Sequence, residues 1–356
     1  MNALEDLGGW PALLIELVEG RDLPASHARA AMATILSGDA TAAQLIAFVV
    51  ALRAKGESPE ELSGLLDAVL DAAAIVPLGD DLRSRAVDIV GTGGDRSHSI
   101  NVSTMAAIVV AGAGVPVCKH GARAASSQCG AADVLEELGV AIELSPEAVL
   151  RCIEEVGIGF CLAPKFHPAF RFAAPSRREI GIATVFNLLG PMANPGRVRR
   201  QLIGVANPAV AERMLASLRL HGCERAWVVH GGGLDELTTT GPSTVLALDD
   251  DNVRTFTVDP VALGFAPAIA DELVGGTPPH NAEVVRRVLK GEHGAHRNIV
   301  VLNAAAGLVV AGVAESLEDG IVAATSSIDE GHAAVVLDRW VHESQAAAAE
   351  LQSDQS

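Results

Sequence analysis

Tyrosine is absent from the 356 residues, and aromatics amount to only 3%. Packing must therefore rely on Ala, Val, Leu and Ile in closely approaching helices and strands. Basic residues are scarce, with Lys plus Arg at 26 against 44 Asp plus Glu, a formal net charge of −18. A field of that sign repels nucleic acid and anionic membrane surfaces, which argues against both as partners. It repels phosphorylated ligands too, so a site for one needs a local positive cluster or metal ions. The bulk of the acidity reads as a solubility device. The five cysteines, Cys118, Cys129, Cys152, Cys161 and Cys223, are odd in number and lack C-x-x-C spacing. A disulfide framework or structural zinc is therefore not expected, and a reducing, cytoplasmic setting is. Residues Met1 to Gly9 carry Glu5 and Asp6 but no basic stretch, unlike a signal peptide. The most apolar window, Val102 to Cys118, is interrupted by Ser, Thr, Gly and Pro. It reads as a buried helix followed by a strand rather than as a membrane span.

What is present falls into two regimes. Residues 10–75 carry helical periodicity throughout, with Leu13, Leu14, Leu17 and Val18 at helical spacing. Further helix starts stand at Ser26, at Thr41 and at Ser58-Pro-Glu-Glu, where an N-cap precedes Pro and early carboxylates. From Arg85 strands and helices alternate. The expected strands are Ala86–Val90, Val115–Lys119, Gly159–Leu162, Gln201–Val205, Arg225–His230 and Ile299–Leu302. Helices are expected over Ala132–Leu138, Pro146–Val156 and Ala209–Leu220. Such alternation predicts a parallel sheet with right-handed crossovers. The expected fold class is α/β, with a small all-helical domain and a larger α/β domain around a mainly parallel sheet. Residues 1–80 form the helical domain, to which 170–195 returns. Residues 81–169 and 196–345 form the α/β domain, and 346–356 a frayed tail.

Four segments carry chemistry. The first is Asp88-Ile-Val-Gly-Thr-Gly-Gly-Asp95, followed by Asn101-Val-Ser-Thr104 and an apolar helix from Met105 to Val110. Glycines let a backbone wrap a ligand, and a helix N-terminus adds positive potential, so a phosphorylated small molecule is the first ligand expected. The loop lacks both the Gly-Lys-Thr/Ser ending of a P-loop and G-x-G-x-x-G spacing. Ser103 and Thr104 can meet a phosphate or metal there, or simply cap the helix. The second segment, Lys119-His-Gly-Ala-Arg123 with Ser126, Ser127 and Gly130 to Asp133, supplies the local positive cluster an acidic chain needs. The third, Val228 to Glu236, ends in adjacent Asp235 and Glu236, which suit a hard cation such as magnesium. The fourth runs from Phe166 to Pro195. In it Arg177 or Arg178 can pair with a substrate carboxylate, or with Glu179 or Glu154.

In this order the four segments resemble the anthranilate phosphoribosyltransferases of tryptophan biosynthesis, over roughly residues 10 to 340. The resemblance implies a nucleoside phosphorylase/phosphoribosyltransferase-like fold, a dimer through the helical domain, and an active site in the cleft between the domains. It implies transfer of a phosphoribosyl group from 5-phosphoribosyl 1-pyrophosphate to the amine of anthranilate, with Mg2+, two ions, as cofactor. By resemblance Gly91, Gly94, Asp95, Ser99, Asn101, Ser103 and Thr104 hold the donor. Lys119, Arg123, Ser127 and Ala131 complete that grip. Gly91, His120, Ala122 and Arg177 line the acceptor's path, and Ser103, Asp235 and Glu236 match the metal positions. Two positions depart from the pattern: Ala122 stands where Asn is usual, and Ala183 where a larger residue is common. A different aromatic acid of benzoate or salicylate type is the alternative acceptor, and nucleoside phosphorolysis a further reading.

Overall fold

The computed structural model describes residues 3–95, 97–124 and 127–353. After a short helical turn at Ala3–Asp6, four helices, Gly9–Val18, Ala25–Leu36, Ala42–Lys55 and Pro59–Asp71, form a bundle. Two of them start where polar caps demand it. Thr41 accepts from Gln44 N while Gln44 takes the Thr41 N–H, and Ser58 and Glu61 repeat that reciprocal pair ahead of Pro59.

The sheet has seven strands in the order β3-β2-β1-β4-β5-β6-β7. β1 (Val87–Gly91), β2 (Val117–Gly121), β3 (Ile158–Leu162), β4 (Arg200–Gly204) and β5 (Arg225–His230) run parallel. β6 (Ser243–Asp249) and β7 (Asn252–Val258) continue it as an antiparallel hairpin that sequence reading had not anticipated. The expected strand Ile299–Leu302 lies inside the helix Ala295–Val310. Its four apolar residues are all buried because that helix is covered on every side, and a short apolar run without alternation does not distinguish the two states. The stretch expected as the helix Ala209–Leu220 begins as a 3-10 turn, Pro208–Val210, before the α-helix Ala211–Leu220. The expected frayed tail is helical as far as it is described, since His332–Ser353 is one helix.

Apolar side chains form two cores. One fills the sheet face covered by the helices Val102–Gly112 and Ala295–Val310. The other joins the bundle, the helix Val185–Met192 and the opposite sheet face at Ile203, Val205, Ala226, Val228, Leu246 and Leu248. Bundle and sheet thus share one continuous apolar interior. No helix among the described residues is long and apolar enough to cross a membrane. Three neighbouring parallel strands, β2, β1 and β4, end in glycine at Gly121, Gly91 and Gly204. Ligands of open α/β sheets bind beyond such carboxyl ends, and the four singled-out segments all lead there.

Candidate active site

From Gly91 the chain turns through Gly93 and Gly94, both at left-handed φ (65° and 77°), which a residue with a Cβ resists. Thr92 N donates to Gly204 O at 2.9 Å, tying this loop to the tip of β4. Asp95 folds back within the loop, accepting from Ser97 N at 3.2 Å and Ser97 Oγ at 2.7 Å. The far end is pinned where Ile100 N donates to Leu273 O at 3.0 Å and Ser99 bridges Val274.

The helix Val102–Gly112 then starts without a side-chain cap from Asn101. Ser103 N instead donates to Glu236 Oε1 at 3.1 Å, so a carboxylate 133 residues away closes the helix N-terminus. The alternative in which Ser103 and Thr104 cap the helix does not hold. Thr104 is buried and its Oγ1 has no partner among the described residues, while Ser103 Oγ lies 3.5 Å from Lys119 Nζ.

Lys119, on β2, is 1% exposed, and its ammonium donates to Ile89 O at 2.6 Å. Burial lowers its pKa while Asp88 and Glu236 oppose that shift. Asp88 is buried too, and accepts from His120 N at 3.1 Å and Asn194 Nδ2 at 2.7 Å. Burial raises its carboxyl to about 6 against the pull of Lys119.

Asp235 and Glu236 arrive from β5 through the turn Gly231 to Leu234, closed by hydrogen bonds in both directions between those two residues. Asp235 threads between two bare strand tips. A Cβ on Gly91 would collide with its Oδ2, and one on Gly204 with its carbonyl oxygen. Oδ2 accepts from Gly93 N at 2.6 Å, fastening the acidic pair to the glycine loop. Asn303 clamps the next residue, accepting from Leu237 N at 3.0 Å and donating to Leu237 O at 2.8 Å. Burial and neighbouring Asp95 push Asp235 up to about 7, and burial with Asp235 raises Glu236 well above the carboxylate range. These crowded carboxylates fit a bound cation, whose charge removes the cost of keeping them ionised. Among the described residues no three His, Cys, Asp or Glu form a ready-made metal cluster. That donor set suits Mg2+, which takes one or two carboxylates and completes its shell with water and substrate phosphate.

A second region adjoins this one. His120 Nδ1 is 3.1 Å from Gly190 O, and His167 Nε2 is 2.9 Å from Ala193 O. Their rings lie 5.0 Å apart, and the other nitrogen of each is buried without a partner among the described residues. Burial holds both neutral, His120 well below its usual value and His167 at about 4. Phe170 stacks on His167 and meets Phe186 edge-on, and the Arg177 guanidinium sits 4.9 Å over the Phe186 ring. Arg177 has no carboxylate partner among the described residues, so neither Glu179 nor Glu154 claims it. This is a cluster of imidazole and phenyl rings bearing one guanidinium without a carboxylate partner among the described residues.

His167 contributes stability that is present above pH 6.5 and lost as pH falls toward 4, because the unfolded chain takes a proton the folded one resists. His167→Gln is therefore expected to be less stable than wild type at pH 7. That gap should narrow by up to about 3 kcal/mol on acidification. Urea midpoints at pH 7, 5.5 and 4 check this, and a gap that does not change with pH refutes it.

The remaining expected residues lie at the surface, in ion pairs or at a helix start. Arg123 is paired with Asp133 and Glu136, the latter at 2.7 and 3.1 Å, so its charge is already matched. Gly94, Ala122, Ser127 and Ala183 are exposed, and Ala131 begins the helix Ala131–Leu138. Ser126 lies outside the described residues. Gly204 and Asn303 shape the site from outside the four segments, and Asp88 and Asn194 do so from within the first and fourth without having been assigned a role. The one signal for Asn303 was a lone amide inside the apolar run Ile299 to Val310.

Residues 83–334 match the family described as glycosyl transferase family, a/b domain, and residues 11–73 its helical bundle domain. The anthranilate phosphoribosyltransferase of Rhodococcus opacus is 52% identical over 338 residues, 93% of this chain and 92% of that protein. This chain belongs to the anthranilate phosphoribosyltransferase family. Among solved structures, the Thermus thermophilus member of the family aligns with a TM-score of 0.88 and 39% identity, over 94% of this chain and 99% of that one. The Saccharomyces cerevisiae anthranilate phosphoribosyltransferase in complex with PRPP and Mg aligns with a TM-score of 0.87 and 27% identity, over 97% and 100%. Membership bears out the resemblance and the expected fold class, and makes the chain a transferase.

Proposed function

We propose that this chain transfers the 5-phosphoribosyl group of phosphoribosyl pyrophosphate to the amine of anthranilate and releases pyrophosphate. The observation that carries the reading is the convergence of Asp235 and Glu236 on the Gly91 loop and on the N-terminus of Val102–Gly112, beside buried Lys119. Asp235, Glu236 and the Ser103 hydroxyl would hold Mg2+, as two ions. Bound there, the metal supplies charge stabilisation to the departing pyrophosphate. The Gly91–Gly94 backbone, Asp95, Ser99, Asn101 and Thr104 hold the sugar phosphate, and Lys119 adds a fixed positive charge. The Arg177 guanidinium, without a carboxylate partner among the described residues, suits the acceptor's carboxylate, and neutral His120 and His167 add no cationic charge there. The amine is already a nucleophile, so orientation rather than a strong base advances the reaction.

Exposed Ile15 and Val18, together with Val50 on a neighbouring bundle helix, support a homodimer through the helical domain. Five free thiols fit a cytoplasmic setting.

Steady-state assays with the donor, Mg2+ and a panel of aromatic acids test the reading. Anthranilate is expected to turn over best. Turnover of a benzoate or salicylate without anthranilate, or phosphorolysis of nucleosides without use of the donor, would refute it. Ala122→Asn adds one hydrogen-bonding amide at the turn after β2 and should lower KM for anthranilate about threefold to tenfold.

A further inference from the structure

Asn281 is buried in the first turn of the helix Pro278–Leu289, which contributes none of the residues assigned above. Its Oδ1 accepts from Gly276 N at 2.7 Å, and its Nδ2 donates to Asn101 Oδ1 at 2.8 Å. Asn101 Nδ2 in turn donates to Cys129 O at 3.2 Å. The chain begins at a backbone N–H and ends at a backbone carbonyl, groups whose donor and acceptor roles are not interchangeable. Both amides are therefore oriented by their neighbours, with every bond running in the same direction. Cys129 Sγ, 3.5 Å from Asn101 Oδ1, agrees with that oxygen being an acceptor.

The relay spans three segments remote in sequence. The glycine loop comes in through Asn101 and is held alongside by Gly275 N donating to His98 O at 2.7 Å. The turn after β2 comes in through Cys129, and the third segment is Gly275–Asn281 itself. The fit leaves no slack. A Cβ on Gly275 would stand 2.9 Å from Asn281 Oδ1 and 3.0 Å from Ser99 O.

We propose that Asn281 is a positioning residue of the phosphoribosyl site, fixing the Asn101 amide and through it the spacing of the two ligand loops. The inference rests on reading those loops as the donor site. Asn281→Asp tests it with almost no change of shape. It keeps the acceptor for Gly276 N but sets an acceptor against Asn101 Oδ1, and turning Asn101 over merely moves the clash to Cys129 O.

KM for phosphoribosyl pyrophosphate is expected to rise about tenfold while kcat and KM for anthranilate change less than about threefold. In the ligand-free protein, amide hydrogen exchange should quicken in both 97–101 and 129–132, with 283–289 unchanged. A folded variant with unaltered KM, or faster exchange confined to 275–281, overturns the proposal. Wild type failing to turn over the donor with anthranilate would overturn the functional reading instead, and the exchange comparison would still decide the role of Asn281.

Discussion

Replacing Asp235 by Asn together with Glu236 by Gln is expected to lower kcat/KM about 10³-fold and to abolish its dependence on Mg2+. The amides keep the shape and can still accept from Gly93 N and Ser103 N, so the loop geometry survives. They lack the charge that draws a divalent cation, and several kcal/mol of transition-state stabilisation at the leaving pyrophosphate goes with it. In the presence of a chelator the double variant should melt no lower than wild type at pH 8. It loses the mutual repulsion of carboxylates that burial and Asp95 already disfavour. Rate measurements across a Mg2+ titration, paired with thermal melts, separate the two effects. Unchanged activity with unchanged Mg2+ dependence would remove Asp235 and Glu236 from the metal site.

The second large effect concerns Lys119. Its ammonium is the cation that faces both Asp88 and Glu236 in the interior. Lys119→Met leaves two buried carboxylates uncompensated, a situation that costs about 3–5 kcal/mol when one partner of a buried pair is removed. The deficit should be largest at pH 8 and smaller at pH 5.5. Asp88 already titrates at about 6, and without its cation it takes up a proton at still higher pH, relieving the penalty. Activity is expected to fall about 10²–10³-fold through loss of the fixed charge proposed for the donor site. Chemical denaturation at the two pH values checks the first part, and a pH-independent deficit would mean that Lys119 matters for packing alone.

Local chemistry was legible wherever a residue's role is decided by its immediate neighbours. The glycines at 91, 93 and 94 announce a wrapped backbone, and Thr41 and Ser58 announce helix starts, because turn and cap geometry span only a few residues. The hairpin Ser243–Val258 and the helix through Ile299 escaped for different reasons. The hairpin adds to an edge whose need for cover depends on the rest of the sheet. The helix is buried on all sides and so loses the polar face that marks its period. At the site, Asp235 and Glu236 could be read as metal-binding residue types, but their attachment to Gly93 and Ser103 could not. Nor could the requirement for a bare Gly204, set by a chain segment thirty-one residues later. Asn281 and Asn303 look ordinary in sequence because an amide's importance lies in what its two ends reach.

The apolar interior shared by the bundle and one sheet face bears on how this enzyme can work mechanically. A swing between two bodies needs bare chain to pivot on, whereas here Ile203, Val228 and Leu246 of the sheet lie in the same core as Phe48, Leu66 and Phe186. Opening that seam would expose apolar surface at about 25 cal/mol for every Å². That cost favours sliding of packed faces by small shifts of the shear type over a wide swing. A sheet and bundle packed in this way leave the loops beyond the strand ends as the parts that can adjust around a ligand while the platform beneath them keeps its shape.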